Sequence, residues 1–387
     1  MKIGLITRRG ADVLWAGDLK ALQVICEGMR EIGVEADLVF DLPAREEYDF
    51  LFLSNTCFDL RPNYNLLKLQ NKRFGLIAFH EDVSKYKPVQ EGFFRYVQGC
   101  IAGTYQAQSL WENREIFFPL MTKLAFDPSV NWDVLREAEV CIGSSPMEVK
   151  TLQRDCPDCK ARSVFFTSGF AEGVTSPTKS FLDFTGLSSK GYILQVGRFD
   201  LRKNQLATIL ATKDIDIPLV FISTLTTHLD YEEACLRAIA KYRKAPTLIV
   251  SQMIPSIQAG NLRILQMPEK KILSSEMLLS AFYHAALHLH PAFYELPGYT
   301  YLESAKLGIP TIASSWASVS DYFTDEKTGK YTLDARIDYV LPYDLVAIEK
   351  LVHKKLSESY KPYPSHPMFY RTSRDVAQEI LGYIPSL

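Results

Sequence analysis

Two stretches in the second half of this chain hold residues suited to work on a phosphorylated substrate. The first is Gly191–Gln205, GYILQVGRFDLRKNQ, in which an apolar run ends at Gly197 and is followed by Arg198, Arg202 and Lys203. An apolar run bounded this way is a buried strand, and in open α/β sheets ligands sit beyond the carboxyl ends of strands. Arginine can grip a diphosphate bidentately and lysine as a point charge. A solvated basic turn would have the same composition.

The second stretch is His290–Pro310, HPAFYELPGYTYLESAKLGIP, where seven residues separate Glu295 from Glu303 and include Pro297-Gly298. A helix is expected to start near Tyr299. Its amino end offers free N–H groups and a partial positive charge, which suits a phosphate, and Gly298 lets backbone approach a ligand closely. Glu303, one turn in, is placed to accept hydrogen bonds from ribose hydroxyls. Glu295, before the turn, is placed to hold hydroxyls of an attached sugar.

These segments need a scaffold, and the apolar pattern supplies two. In the first half, short apolar runs at 2–7, 36–40, 50–54, 75–79, 140–143 and 163–167 read as buried strands. Asp18–Ile32 places Leu19, Leu22, Ile25, Cys26, Met29 and Ile32 at helical spacing, and Gly33 then ends the helix. Strands alternating with helices predict a parallel sheet covered on both faces. The Gly/Ser/Thr-rich stretch 169–190 breaks the rhythm and reads as a linker, after which strands and helices alternate again from 191. The expected division is 1–168, the linker 169–190, a second α/β domain at 191–365, and a closing segment 366–387 with an amphipathic helix.

Together the two motifs resemble those of retaining GT-B glycosyltransferases of family four. In that family a strand ends in G-R, K-N follows, and about ninety residues later comes E-x7-E enclosing a glycine. Here Gly197-Arg198, Lys203-Asn204, Glu295, Gly298 and Glu303 match in order, and Gly308-Ile309-Pro310-Thr311-Ile312-Ala313 fits the pattern that follows. The match is specific over about 191–320 and looser elsewhere. The resemblance implies a GT-B fold, two facing Rossmann-like doubly wound domains, with the last helix crossing back to the first. It implies a hexosyltransferase-type enzyme using a UDP- or GDP-linked sugar, with retention and without cofactor or metal. Arg198 and Lys203 would clamp the diphosphate, with the amides of Gly298, Tyr299 and Thr300 at the helix start. Glu303 would hold the ribose and Glu295 the donor sugar, and the acceptor would be a saccharide, a lipid-linked species or a protein.

The first half fits the family at three places. Trp15-Ala16-Gly17-Asp18 stands where a glycine-rich loop approaches the donor phosphate, with Gly17 its one glycine; Arg8 and Arg9 nearby read as exposed charge, the alternative being that they compensate for the missing glycines. Gly75–Asp82, GLIAFHED, resembles the strand that ends in a histidine beside the reaction centre, making His80 the acceptor-side residue. Ala138–Leu152 resembles the last strand of the first domain and the helix after it, with Ser144 and Ser145 as turn or N-cap residues. Pro297 departs from the pattern, because proline has no N–H to offer the donor.

Composition limits the remaining possibilities. A chain of 387 residues, 47% apolar and 23% charged, is expected to form two soluble globular domains. A net charge of −2 gives no reason to expect a nucleic-acid partner. No apolar run spans a bilayer and the start MKIGLITRRG is no signal peptide, so the expected location is the cytoplasm. The His353-Lys354-Lys355 cluster raises the alternative of peripheral contact with the inner face of a membrane. Cys156-x-x-Cys159 lacks the second ligand pair of a zinc site and reads as a surface turn. Asp214-Ile215-Asp216 reads as a turn, and His288-Leu289-His290 puts two histidines on one strand face with no evident third metal ligand. A nicotinamide-dependent enzyme would need G-x-G-x-x-G after a strand, which neither domain has. The rival from another class is a non-catalytic protein of the same fold that binds a sugar nucleotide or a partner.

Overall fold

The computed structural model describes residues 1–8, 17–40, 42, 47–104, 131–167, 178–223, 228–251, 255–267, 273–296, 298–323, 337–358 and 367–385. The first domain runs β1 (Lys2–Ile6), α1 (Gly17–Glu31), β2 (Glu35–Val39), β3 (Phe50–Ser54), α2 (Arg61–Leu69), β4 (Phe74–Ile77), α3 (Val83–Ala102), α4 (Trp132–Glu137), β5 (Cys141–Gly143), α5 (Pro146–Asp155) and β6 (Ala161–Ser163). Its sheet has the order β2-β1-β3-β4-β5-β6 with every neighbouring pair parallel. Apolar strand residues such as Ile3, Leu5, Phe50, Phe52 and Ile77 are almost wholly buried, as a sheet covered on both faces requires. Gly33 ends α1 at φ +83°, a left-handed value that favours glycine.

The second domain runs α6 (Ser180–Thr185), β7 (Ile193–Val196), a 3₁₀ turn at Leu201–Lys203, α7 (Gln205–Ala211), β8 (Leu219–Ser223), α8 (Leu229–Tyr242), β9 (Thr247–Ser251), β10 (Ile257–Ala259) and β11 (Leu262–Gln266). It continues with α9 (Ser275–His284), β12 (Leu287–His290), α10 (Tyr299–Lys306), β13 (Thr311–Ser314), α11 (Val319–Tyr322), β14 (Ile337–Val340), α12 (Leu345–Ser357) and α13 (Ser373–Gly382). The order is β10-β11-β9-β8-β7-β12-β13-β14, and of the described pairs β10–β11 is antiparallel.

Two expectations need correction and a third needs refinement. The part of the linker at 178–190 contains α6, whose Phe181 is fully buried beside Tyr192 and Leu194; that stretch therefore belongs to the second domain's core, while 169–177 lies outside the described residues. Cys156-x-x-Cys159 is the surface turn expected, with Pro157 and Asp158 exposed, but its cysteines face inward. Both thiols are buried with Cys141 under the first sheet, while the backbone turns through Cys159 N–H to Cys156 O at 3.1 Å. The strand expected at 163–167 is β6, two residues earlier, with Val164 continuing the pairing through Gly143 O.

Two helices tie the halves together. α3 turns Tyr86, Phe93, Tyr96 and Cys100 onto Leu206, Leu210, Tyr231 and Phe293 of the second domain. Tyr86 stacks on Tyr294 at 5.1 Å and Phe93 meets Phe293 edge-on at 5.8 Å. α13 packs on α1, where Gly28 gives it room: a Cβ there would lie 2.1 Å from the Ser373 carbonyl oxygen. Gly28→Ala is expected to cost about 1–3 kcal/mol through overpacking, read as a lower midpoint in chemical denaturation. Gly17→Ala is the control, since a Cβ at Gly17 meets nothing within 4 Å; an equal loss in both would show that the α1–α13 contact is not the cause.

Candidate active site

In the second sheet the strand order reverses between β7 and β12, and such a switch point is where a doubly wound sheet opens a crevice for a ligand. The residues singled out in the sequence follow these two strands. After β7, the chain passes Gly197 and Arg198 into the 3₁₀ turn, N-capped by Asp200, whose carboxylate accepts from Arg202 N–H at 2.9 Å. Asn204 leaves the turn at φ +58° and donates to Pro291 O at 2.8 Å and Pro342 O at 2.7 Å, fixing the turn against the end of β12. Lys203 thus meets Glu295, with Nζ 2.5 Å from Oε1.

Glu295 stays buried at 6% exposure. Burial lowers the pKa of Lys203, and Arg202 adds to this, while Glu295 opposes it. Arg198 pairs with Asp200 at 3.1 Å. Burial works against the charge of Arg202, yet Glu81, Glu295 and Asp200 hold it ionised, and its guanidinium pairs with Glu81 of the first domain.

After β12, Gly298 caps α10 at φ +79°. A Cβ there would strike the Tyr301 ring at 2.5 Å and approach Glu295 Cβ at 3.2 Å, so glycine is required by conformation and by space. Pro297 lies outside the described residues. Thr300 Oγ1 lies 3.3 Å from His290 Nδ1, and Tyr299 packs against the cores of both domains. Glu303, one turn into α10, is 2% exposed and takes Lys20 Nζ from α1 at 2.8 Å.

The first domain brings its own switch point, between β1 and β3. Arg8 is not the exposed charge expected. Its side chain is 8% exposed, Nε donates to Asp18 Oδ2 at 2.8 Å, and Asn55 Nδ2 donates to the same oxygen at 2.9 Å. Gly17 opens α1 and is exposed; Arg9, Trp15 and Ala16 lie outside the described residues. His80 follows β4 and is 4% exposed. Its neighbour Glu81 makes the pair with Arg202, so the two strand ends meet across the domains. Asp321 Oδ2 also crosses, accepting Met147 N–H at 2.6 Å, and Ser145 is the N-cap of α5.

The structure therefore brings Arg198, Lys203, Glu295, Gly298, Tyr299, Thr300 and Glu303 to one edge, with His80 and Gly17 opposite. Lys20, Glu81, Thr56 and Asp155 carried no sequence signal, because each acts through a partner distant in the chain. The remaining candidates resolve as structural groups. Asp214 is paired with Lys213 and with Lys244 at 2.6 Å. His288 and His290 are fully buried, and burial pushes both far below the usual imidazole range, which keeps them neutral. In the basic cluster on α12, Lys355 is turned onto Asp338 at 2.5 Å, while His353 and Lys354 are exposed. Among the described residues no group of three or more His, Cys, Asp or Glu is arranged to hold a metal, and no helix is long and apolar enough to cross a membrane.

The sequence matches no protein-family model and no curated protein. Solved structures do match over nearly the whole chain. Sucrose-phosphate synthase from Thermosynechococcus elongatus superposes with TM-score 0.60 at 15% identity, covering 98% of this chain and 94% of that one. The Anabaena HepE protein in complex with UDP and glucose gives 0.62 at 11% identity, covering 99% and 98%. WaaG, a glycosyltransferase involved in lipopolysaccharide biosynthesis, gives 0.53 at 14%, covering 97% and 94%. The fold is GT-B, two parallel-sheet α/β domains.

Proposed function

We propose that this protein is a retaining, hexosyltransferase-type enzyme that moves a sugar from a nucleoside-diphosphate donor to an acceptor hydroxyl without a metal. One observation carries the reading. At the switch point of the second sheet, Arg198 and Lys203 after β7 converge with Glu295 and the amino end of α10 after β12, and this edge meets the His80 end of β4. Fixed cations and amides placed where a diphosphate leaves stabilise its developing charge without reorganisation. In this reading Glu295 holds the transferred sugar, Glu303 the ribose, and a departing phosphate oxygen takes the acceptor proton, while His80, its two ring nitrogens held by Thr56 and Asp155, positions the acceptor by its fixed ring rather than by a hydrogen bond. The acceptor is a saccharide, a lipid-linked species or a protein, and the site of action is the cytoplasm, at the inner face of a membrane for a lipid-linked acceptor.

A panel of UDP- and GDP-sugars screened by thermal stabilisation tests donor binding, since a ligand bound only to the folded state raises apparent stability. UDP-glucose comes first, because the HepE structure was solved with UDP and glucose. Turnover should persist in EDTA; complete loss restored by manganese or magnesium would overturn the metal-free mechanism. A non-catalytic binding role is the second reading, favoured by the single glycine, Gly17, of Trp15-Ala16-Gly17-Asp18 and by Pro297, which offers no N–H to the donor. Donor binding with neither transfer nor hydrolysis would decide for it.

A further inference from the structure

The contacts of His80 exceed what placing an acceptor requires. Thr56 Oγ1 lies 2.7 Å from Nδ1, Asp155 Oδ2 lies 2.9 Å from Nε2, and the His80 backbone N–H donates to Glu148 Oε1 at 2.7 Å. Thr56 is 8% exposed and Glu148 fully buried. Phe79, the residue before, sits at φ +43°, a left-handed value that is a true outlier for a bulky side chain. Such strain persists only where the surroundings over-determine the backbone. Here α5 supplies both restraints, Glu148 on the backbone of His80 and Asp155 on its ring.

The tautomer follows from donor and acceptor chemistry. A carboxylate can only accept, so Nε2 must carry the proton, and in the neutral ring Nδ1 must then accept from the Thr56 hydroxyl. Asp155 is ionised: burial opposes its charge, but hydrogen bonds from His80 and Arg154 outweigh that and hold it down to about 2. Arg154 in turn reaches Asp82 at 3.0 Å, tying this network to the start of α3.

We propose that Asp155 is a positioning residue that locks His80 into the Nε2–H tautomer and a single ring orientation, with the Thr56 hydroxyl bonded to Nδ1. Its kinetic consequence rests on the reading of His80 as the acceptor-side residue; the tautomer itself does not. The test uses the full chain labelled with ¹⁵N-histidine, with the His80 signals among seven histidines assigned by their loss in His80→Gln.

Long-range ¹H–¹⁵N spectra should show His80 as Nε2–H alone in the parent protein and in Thr56→Val, and as a tautomer mixture in Asp155→Asn. In transfer assays Asp155→Asn should lower kcat about tenfold or more, as misplacement of a positioned group does, with donor KM changed less than twofold. In a His80→Ala background Asp155→Asn should cost no further kcat. An Nδ1–H tautomer in the parent protein, an unchanged tautomer in Asp155→Asn, a lost one in Thr56→Val, or additive kinetic effects would each overturn the proposal. Should Asp155→Asn fail to fold, the parent and Thr56→Val spectra still decide. Should the protein transfer no sugar, the glycosyltransferase reading fails while the spectra still test the tautomer.

Discussion

Replacing Lys203 with methionine should lower transfer about 10- to 150-fold and destabilise the fold together. Lys203 Nζ is 2.5 Å from Glu295 Oε1, and their side chains are 17% and 8% exposed. Without the ammonium, Glu295 is left as a buried carboxylate with no direct counter-charge, a change that costs about 3–5 kcal/mol in comparable pairs. The same substitution removes a cation from the proposed diphosphate, and one charge-assisted hydrogen bond of about 1.5–3 kcal/mol corresponds to a loss of about 10- to 150-fold in kcat/KM.

The two losses separate in a double variant. Lys203→Met with Glu295→Leu removes both charges, and apolar replacement of a buried pair is often neutral or stabilising. Stability should therefore return towards that of the parent in urea denaturation while turnover stays low. An active double variant would show that neither side chain contacts the donor.

Much of the scaffold was legible because local pattern and tertiary role agree there. α1 runs Gly17–Glu31 against an expected Asp18–Ile32, and β7, β8, β11 and β12 fall where apolar runs end in turn residues. α3 shows where local pattern is insufficient. Its apolar residues serve the second domain's core, so the helix covers no neighbour in sequence and its pattern does not point to a partner. α6 was hidden by composition: Gly-, Ser- and Thr-rich sequence flanks this six-residue helix, in which Phe181 and Thr185 are buried and Leu182 and Phe184 pack on the same core.

The site divides in the same way. Arg198, Lys203, Glu295 and Glu303 stand in compact motifs after two strands, so the family resemblance could single them out, and the pair Lys203–Glu295 shows the two motifs meeting. Their cross-domain counterparts lie 121 residues apart for Glu81 and Arg202 and 283 for Lys20 and Glu303, distances at which spacing in sequence says nothing. His80 was singled out by the resemblance of GLIAFHED to a strand of the family, but Thr56 and Asp155, which hold its ring, come from β3's end and the end of α5 and match no such motif.

Glu303→Gln and Glu295→Gln should have opposite signatures. Glu303 lies one turn inside α10, whose amino end is proposed to meet the phosphates, so it is set to hold the ribose. Its replacement should weaken binding of the free nucleoside diphosphate about 10- to 150-fold, the span expected when a hydrogen bond to a charged group is lost. Its pair with Lys20 at 2.8 Å adds a further contact across the domains, which the same substitution weakens. Glu295 precedes Gly298 and is proposed to touch only the transferred sugar. Glu295→Gln should leave nucleoside-diphosphate affinity unchanged or tighter, because it releases the Lys203 ammonium from its carboxylate partner and leaves that cation for the diphosphate. Transfer should fall all the same, since contacts to the sugar matter most as charge develops in the transition state. Calorimetry with the nucleoside diphosphate, beside turnover with the full donor, separates the two variants. If Glu295→Gln abolished nucleoside-diphosphate binding while Glu303→Gln kept it, the donor would lie in the opposite orientation, with its sugar towards α10.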